Sequence, residues 1–432
     1  MHNIHMNNRA LVFGSVTLLV VSGLLAQMDE RSWVPPDDPA IMYGDRPADD
    51  AIERLSRKID SGKVKLEYAP GSGYLPSLLK NLDINVDSQV LVFSKTSFQN
   101  PKIGPKTPRA IFFNDKVAIG SVQNGDVLEI AALDPKEGVT FYSLDVARTA
   151  KPVFNRRSDC LQCHQGLATV GVPGMMVTSV YPSGDGTPAF RGAAKITDHR
   201  TPFAERWGGW YVTGLNGSDR HMGNAQAHDS AQPRNLDYAD TQNLSTLGRR
   251  FDATNYLAKT SDIVALMTLE HQTRMMNLMI RTAWDARVAL NKGAGTIDSE
   301  GNARIDGDVE TLVNYMLFAD EIKLYEPVQG VSTFTKTFPE RGPRDKQGRS
   351  LRDFDLHTRM FKYPLSYMIY SETFDAMPDV VRERVYRRLY DVLTGNAIAR
   401  LAESDRKSIL EILRDTKVGL PAYWKAGAEG GL

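Results

Sequence analysis

Cys160 and Cys163 are the only cysteines in 432 residues. A disulfide-stapled scaffold is therefore excluded, and a zinc site built on these two thiols lacks a second cysteine pair. Charge of one sign is equally lacking, because Lys plus Arg and Asp plus Glu both number 52. That balance gives no bulk electrostatic reason to bind nucleic acid or an anionic membrane. Beyond residue 26 no apolar run is long enough to cross a bilayer. The chain carries no Rossmann fingerprint, no P-loop, no internal repeat and no low-complexity tract. What is present is an ordinary globular composition, 42% hydrophobic and 24% charged, sufficient for two or three folding units with a core that needs no cross-links.

The N-terminus points to a compartment. Arg9 precedes a weakly polar and apolar run from Ala10 to Ala26, which contains Leu11-Val12-Phe13 and Leu18-Leu19-Val20-Val21. This has the form of an export signal with Ala26 as a cleavage residue. Leu24, at the position where a small residue is preferred, leaves an uncleaved anchor open. Residues 1–28 are thus expected to be a signal peptide or N-terminal anchor. Either outcome places the rest of the chain outside the cytoplasm, periplasmic or tethered to the outer face of the cytoplasmic membrane.

The two cysteines stand in Cys160-Leu161-Gln162-Cys163-His164, which reads C-x-x-C-H, the form of a covalent c-type haem attachment site. Two thiols three residues apart can each form a thioether to one haem vinyl group, and the adjoining imidazole then binds iron. A C-x-x-C pair can also be a redox dithiol, a disulfide or half of a zinc site. A thioredoxin-type pair is expected near a βαβ pattern at a helix N-terminus. This one follows Phe154–Asp159 and runs into the glycine-rich stretch Gln165–Gly174. The histidine directly after the second cysteine is accounted for only by haem. One covalent haem c is therefore expected, held by Cys160, Cys163 and His164.

The pattern along the chain predicts an α+β fold. Residues 29–62 read as a Pro-rich linker and a short helix carrying Ile52, Leu55 and Ile59 on one face. Residues 63–157 read as a β-rich unit with strands at Val90–Phe93, Ala110–Phe113, Val117–Ile119, Val127–Ile130 and Val139–Tyr142. Residues 158–240 form a glycine-rich haem-binding middle, with strands expected at Met175–Tyr181 and Gly209–Thr213. Residues 241–432 read as helical. Ser261-Asp262 should cap a helix to about Asn291, and a second helix should run from Asp308 to about Tyr325. Pro339–Asp353 reads as a surface loop. Further helices are expected over Val380–Leu393, closed by Gly395, and from Ser404 to about Lys417.

Function in a haem protein turns on the sixth iron position. His221, in the loop Arg220–Asn224, is the first candidate, with Met222 and His199 as alternatives. His228, Met175, Met176 and His271 are weaker, the methionines reading as strand residues. Glu270 and His271 are adjacent and offer an acid/base pair. Arg191, Arg200 and Arg206 offer guanidinium partners for propionates. Trp207, Trp210 and Tyr211 read as an aromatic wall or as core.

At residues 160–164 the chain resembles c-type cytochromes. It does not resemble the small helical class I proteins, in which the motif lies near the start of a compact helical domain. The blocks Gly171-Val172-Pro173-Gly174, Glu205–Tyr211 and His221–Asn224 are similar to exported bacterial proteins with a cytochrome c domain. That resemblance implies haem binding and electron transfer. The expectation is an exported monohaem cytochrome that passes single electrons between periplasmic partner proteins. The alternative is a peroxidase- or oxygenase-like haem enzyme with an open sixth position and a substrate pocket in the helical part.

Overall fold

Asp50 accepts hydrogen bonds from the backbone N–H groups of Ile52 and Glu53 and so caps the first helix, α1 (Ala51–Asp60). Its second oxygen accepts from the Thr140 hydroxyl at 2.7 Å and the Tyr142 hydroxyl at 2.6 Å, tying the helix start to the sheet. The computed structural model describes residues 33–189, 194–229, 231–398 and 400–425. The expected export segment and Arg191 lie outside them. A second helix, α2 (Leu75–Asn81), buries Leu75, Leu78 and Leu79 in the same apolar cluster as Ile52 and Leu55 of α1.

Next comes an antiparallel sheet. Strands β1 (Val90–Val92), β2 (Arg109–Phe113), β3 (Val117–Ser121), β4 (Val127–Asp134), β5 (Gly138–Asp145) and β6 (Phe154–Arg156) lie in consecutive order. All five strand runs expected over residues 90–142 are present, several of them extended by a residue or more. Alternate side chains point to opposite faces. Leu91, Ala110, Phe112, Ile119, Ile130 and Tyr142 face α1 and α2. Val90, Val92, Phe113, Ala118 and Phe141 belong to a second, larger apolar cluster that extends to Trp424. Each fully buried Val, Leu, Ile or Phe among them contributes about 1.5–3 kcal/mol.

The middle of the chain is mostly irregular. It opens with a single helical turn, α3 (Leu161–His164), and has short strands β7 (Thr178–Ser179), β8 (Lys195–Ile196) and β9 (Trp210–Tyr211). The strands expected at Met175–Tyr181 and Gly209–Thr213 are thus cut to two residues each. Left-handed backbone at Trp207 (φ 67°) and Gly209 (φ 88°) interrupts any longer run. In place of a longer strand, β9 pairs with β1 (Leu91 with Tyr211, Val92 with Trp210) and extends the sheet from a distant segment.

The residues from 241 to 262, expected to be helical, hold only a 3-10 turn (Ala253–Asn255), and the long helix starts after the expected cap Ser261-Asp262. Asp262 caps α4 (Ile263–Lys292) through Val264 N–H and Ala265 N–H. This helix is buried on nearly every side over its first six turns, so it is the axle of the molecule rather than a surface helix. The next helix, α5, spans Ser299–Met316 instead of 308–325. Asp298 caps it early, and Phe318 in the left-handed region (φ 55°) ends it. The stretch 339–353 is not wholly a surface loop. Pro339 lies inside α6 (Phe334–Glu340), and Ser350, Leu351 and Arg352 are buried. A single turn, α7 (Glu372–Asp375), leads to α8 (Asp379–Leu393), which Gly395 ends at φ 82°, and then to α9 (Glu403–Thr416). Among the described residues no helix is long and apolar enough to cross a membrane.

Candidate functional site

His164 closes the turn α3, whose N-cap residue is Cys160. Its Nδ1 lies 2.9 Å from the carbonyl oxygen of Gly174. A carbonyl can only accept, so Nδ1 carries the hydrogen. Burial is the main influence lowering the ring below the usual histidine value, followed by the Arg109 guanidinium, while the Gly174 carbonyl and Glu129 oppose it. A neutral imidazole with its proton on Nδ1 has its lone pair on Nε2. That is the tautomer a metal requires, fixed by a partner on the other nitrogen.

Gly174 holds the histidine twice, because its own N–H donates to the His164 carbonyl. It is anchored in turn from the central helix. Asn277 on α4 accepts from Met175 N–H at 3.2 Å and donates to the Met175 carbonyl at 2.7 Å. Glycine is required at 174, since a Cβ there would lie 2.1 Å from Asn277 Oδ1. The other face of the imidazole meets Phe141 of β5, ring centroids 4.9 Å apart.

Both thiols are free, Cys163 exposed and Cys160 half-buried. Burial, then the neighbouring Asp159 carboxylate, pushes the Cys160 thiol up to about 11. A redox dithiol needs the opposite, a depressed thiolate-forming value at a helix N-terminus. Cys160, Ile111 and Ala131 sit half-covered at the margin of the large apolar cluster, and Leu167, three residues past the motif, is 79% exposed. Two free thiols and an oriented imidazole, with exposed Leu167 three residues on, are compatible with a covalently held group. Among the described residues no three His, Cys, Asp or Glu side chains converge to hold a metal ion.

No family model, curated protein or solved structure matches this chain.

The residues expected as candidates for a second axial ligand are spread over separate places. His221 is buried against Trp207 and Phe203, ring centroids 5.2 and 6.1 Å away, with Nδ1 lacking a hydrogen bond. Met222 packs with Ala225, Ala227 and Leu236, its sulfur 3.6 Å from Ser179 Oγ. His199 meets His271, Nδ1 to Nδ1 at 2.9 Å, and stacks on Tyr315. Exposed His228 bonds Asp237. Among the described residues no hydrogen bond or ring contact joins His199, His221 or Met222 to residues 160–164.

The adjacent pair Glu270 and His271 diverges, as consecutive helix residues must. Glu270 binds Arg206 and Trp207 Nε1, whereas His271 binds His199 and Ser366. Arg206 is therefore committed to a buried ion pair, and Arg200 to Asp198. Trp210 and Tyr211 are core residues whose polar atoms donate to the Thr178 and Pro105 carbonyls. Gly174, Asn277 and the His199–His271 contact carried no local signal, because each is defined by a partner distant in sequence.

Proposed function

We propose that the chain is an exported monohaem c-type cytochrome in which Cys160 and Cys163 hold the porphyrin and His164 Nε2 is the axial ligand. Each thiol S–H would add across one vinyl C=C, with no leaving group. When bound, the haem supplies a one-electron couple. The observation that carries the reading is the His164 Nδ1–Gly174 contact within C-x-x-C-H, which presents Nε2 as the available lone pair. Phe141 and the 165–174 loop hold the ring orientation, and Asn277 fixes the loop. His221 remains the first candidate for a second axial ligand and His199 the alternative, since each keeps a buried ring nitrogen, Nδ1 and Nε2 respectively, without a hydrogen bond.

Electron transfer to partner proteins leads and a peroxidase- or oxygenase-like haem enzyme is the alternative, because one haem supplies one redox centre and the sequence carries no second cofactor motif. The subdivision proposed with this function is a β-rich N-terminal part, a haem-binding middle and a helical C-terminal part, in the periplasm or tethered to the outer face of the membrane. The optical spectrum of the protein, reduced and oxidised, with and without carbon monoxide, tests the choice. Sharp reduced bands unchanged by carbon monoxide support the carrier. A spectrum that shifts on adding carbon monoxide would favour the enzyme.

A further inference from the structure

One ion pair lies on the sheet face that carries Phe141, the ring packed against His164. Arg109 on β2 and Glu129 on β4 reach across the intervening strand and meet at 2.7 Å. They pass over Gly120, where a Cβ would stand 3.3 Å from Glu129 Oε2 and 3.5 Å from Arg109 Cδ. Both side chains are largely covered, 18% and 15% exposed. The carboxylate also accepts from Ser97 Oγ at 2.5 Å and Gln99 Nε2 at 2.8 Å. Glu129 pairs across the ladder with Ser143, and Ala131 with Phe141. Glu129 is therefore the diagonal neighbour of Phe141 on one sheet face, and Phe141 is the ring against His164.

We infer that Glu129 and Arg109 are positioning residues that set the reduction potential of the group His164 ligates, the carboxylate lowering it and the guanidinium raising it. The inference rests on the haem reading above. The oxidised centre carries one more positive charge than the reduced one. A fixed anion nearby favours the oxidised form and a fixed cation the reduced form, at a strength set by a largely covered site. A surface pair would be screened by salt, but this one is mostly sheltered.

The test is redox titration of the haem-loaded full-length protein. Glu129→Gln leaves Arg109 uncompensated and should raise the potential; Arg109→Gln leaves Glu129 uncompensated and should lower it. Each shift should change the oxidised-to-reduced ratio about tenfold at fixed ambient potential, equivalent to 59 mV for a one-electron couple. The double variant should return close to the parent. A purely structural pair would move both singles in one direction or neither, and either result would overturn the inference. If the singles do not fold, Ser97→Ala carries the test: with one donor fewer on the carboxylate the potential should fall, and an unchanged value overturns it. A parent protein that takes up no haem defeats the attachment reading instead, so the two failures are distinguishable.

Discussion

His199 and His271, 72 positions apart, meet nitrogen to nitrogen at 2.9 Å inside the helical core. The two Nδ1 atoms share one proton, so this contact requires at least one neutral ring. Burial holds His199 well below the ordinary value, with His271 adding to it, and burial brings His271 to about 3. His221, buried beside Trp207, is likewise lowered to about 3. In the unfolded chain each takes up a proton near pH 6.5. Their contribution to stability is therefore present above that pH and is lost as the pH falls towards the folded values. Each histidine steepens the loss by at most ~1.4 kcal/mol per pH unit. Urea denaturation between pH 7 and pH 5 should show this slope, and His271→Gln should reduce it by about one proton. A stability flat over that range contradicts the prediction.

Arg206 and Glu270 should behave as a unit. Arg206 also donates to the carbonyls of Thr201 and His199, and Trp207 Nε1 donates to Glu270, so the pair docks the 199–207 loop onto α4. Glu270→Leu alone leaves a buried guanidinium unpaired and should cost about 3–5 kcal/mol. Adding Arg206→Met should recover part of that loss. Denaturant titration of the single and double variants gives the comparison, and a double variant less stable than the single contradicts it.

How much of this was legible from the sequence depends on the range of the interaction. Asp50 and Asp262 sit directly before apolar periodicity, so the starts of α1 and α4 could be read locally. The strands over 90–142 carry β-branched and aromatic runs separated by Asn, Asp and Gly. Trp210–Tyr211 is different: its place beside β1 is fixed by register with Val92 and Leu91, more than a hundred residues earlier. The motif Cys160–His164 was readable as five letters, but the partner that selects the tautomer of His164 is a backbone carbonyl, which no sequence pattern marks. Arg206 read as a guanidinium partner for a propionate because nothing local announces Glu270, with which it forms a buried ion pair.

Gly174 joins the motif to the central helix, and its replacement should separate two effects. In Gly174→Ala the new Cβ meets Asn277 Oδ1 at 2.1 Å and Thr169 Cβ at 3.0 Å. Such overpacking costs about 1–3 kcal/mol, and here it also moves the carbonyl that orients His164. Melting temperature should fall and the visible haem bands should shift together. Gly166→Ala is the control, because nothing lies within 4 Å of its Cβ position. Equal effects of the two substitutions would contradict the role assigned to Gly174.

The most direct test of the account is whether haem stays with the polypeptide after acid-acetone extraction, for protein exported from cells able to attach haem c. The parent chain should retain its haem absorbance through extraction and denaturing electrophoresis. Cys160→Ala with Cys163→Ala should release all of it. Haem extracted from the parent, or covalent haem persisting in the double variant, would contradict attachment through these two thiols.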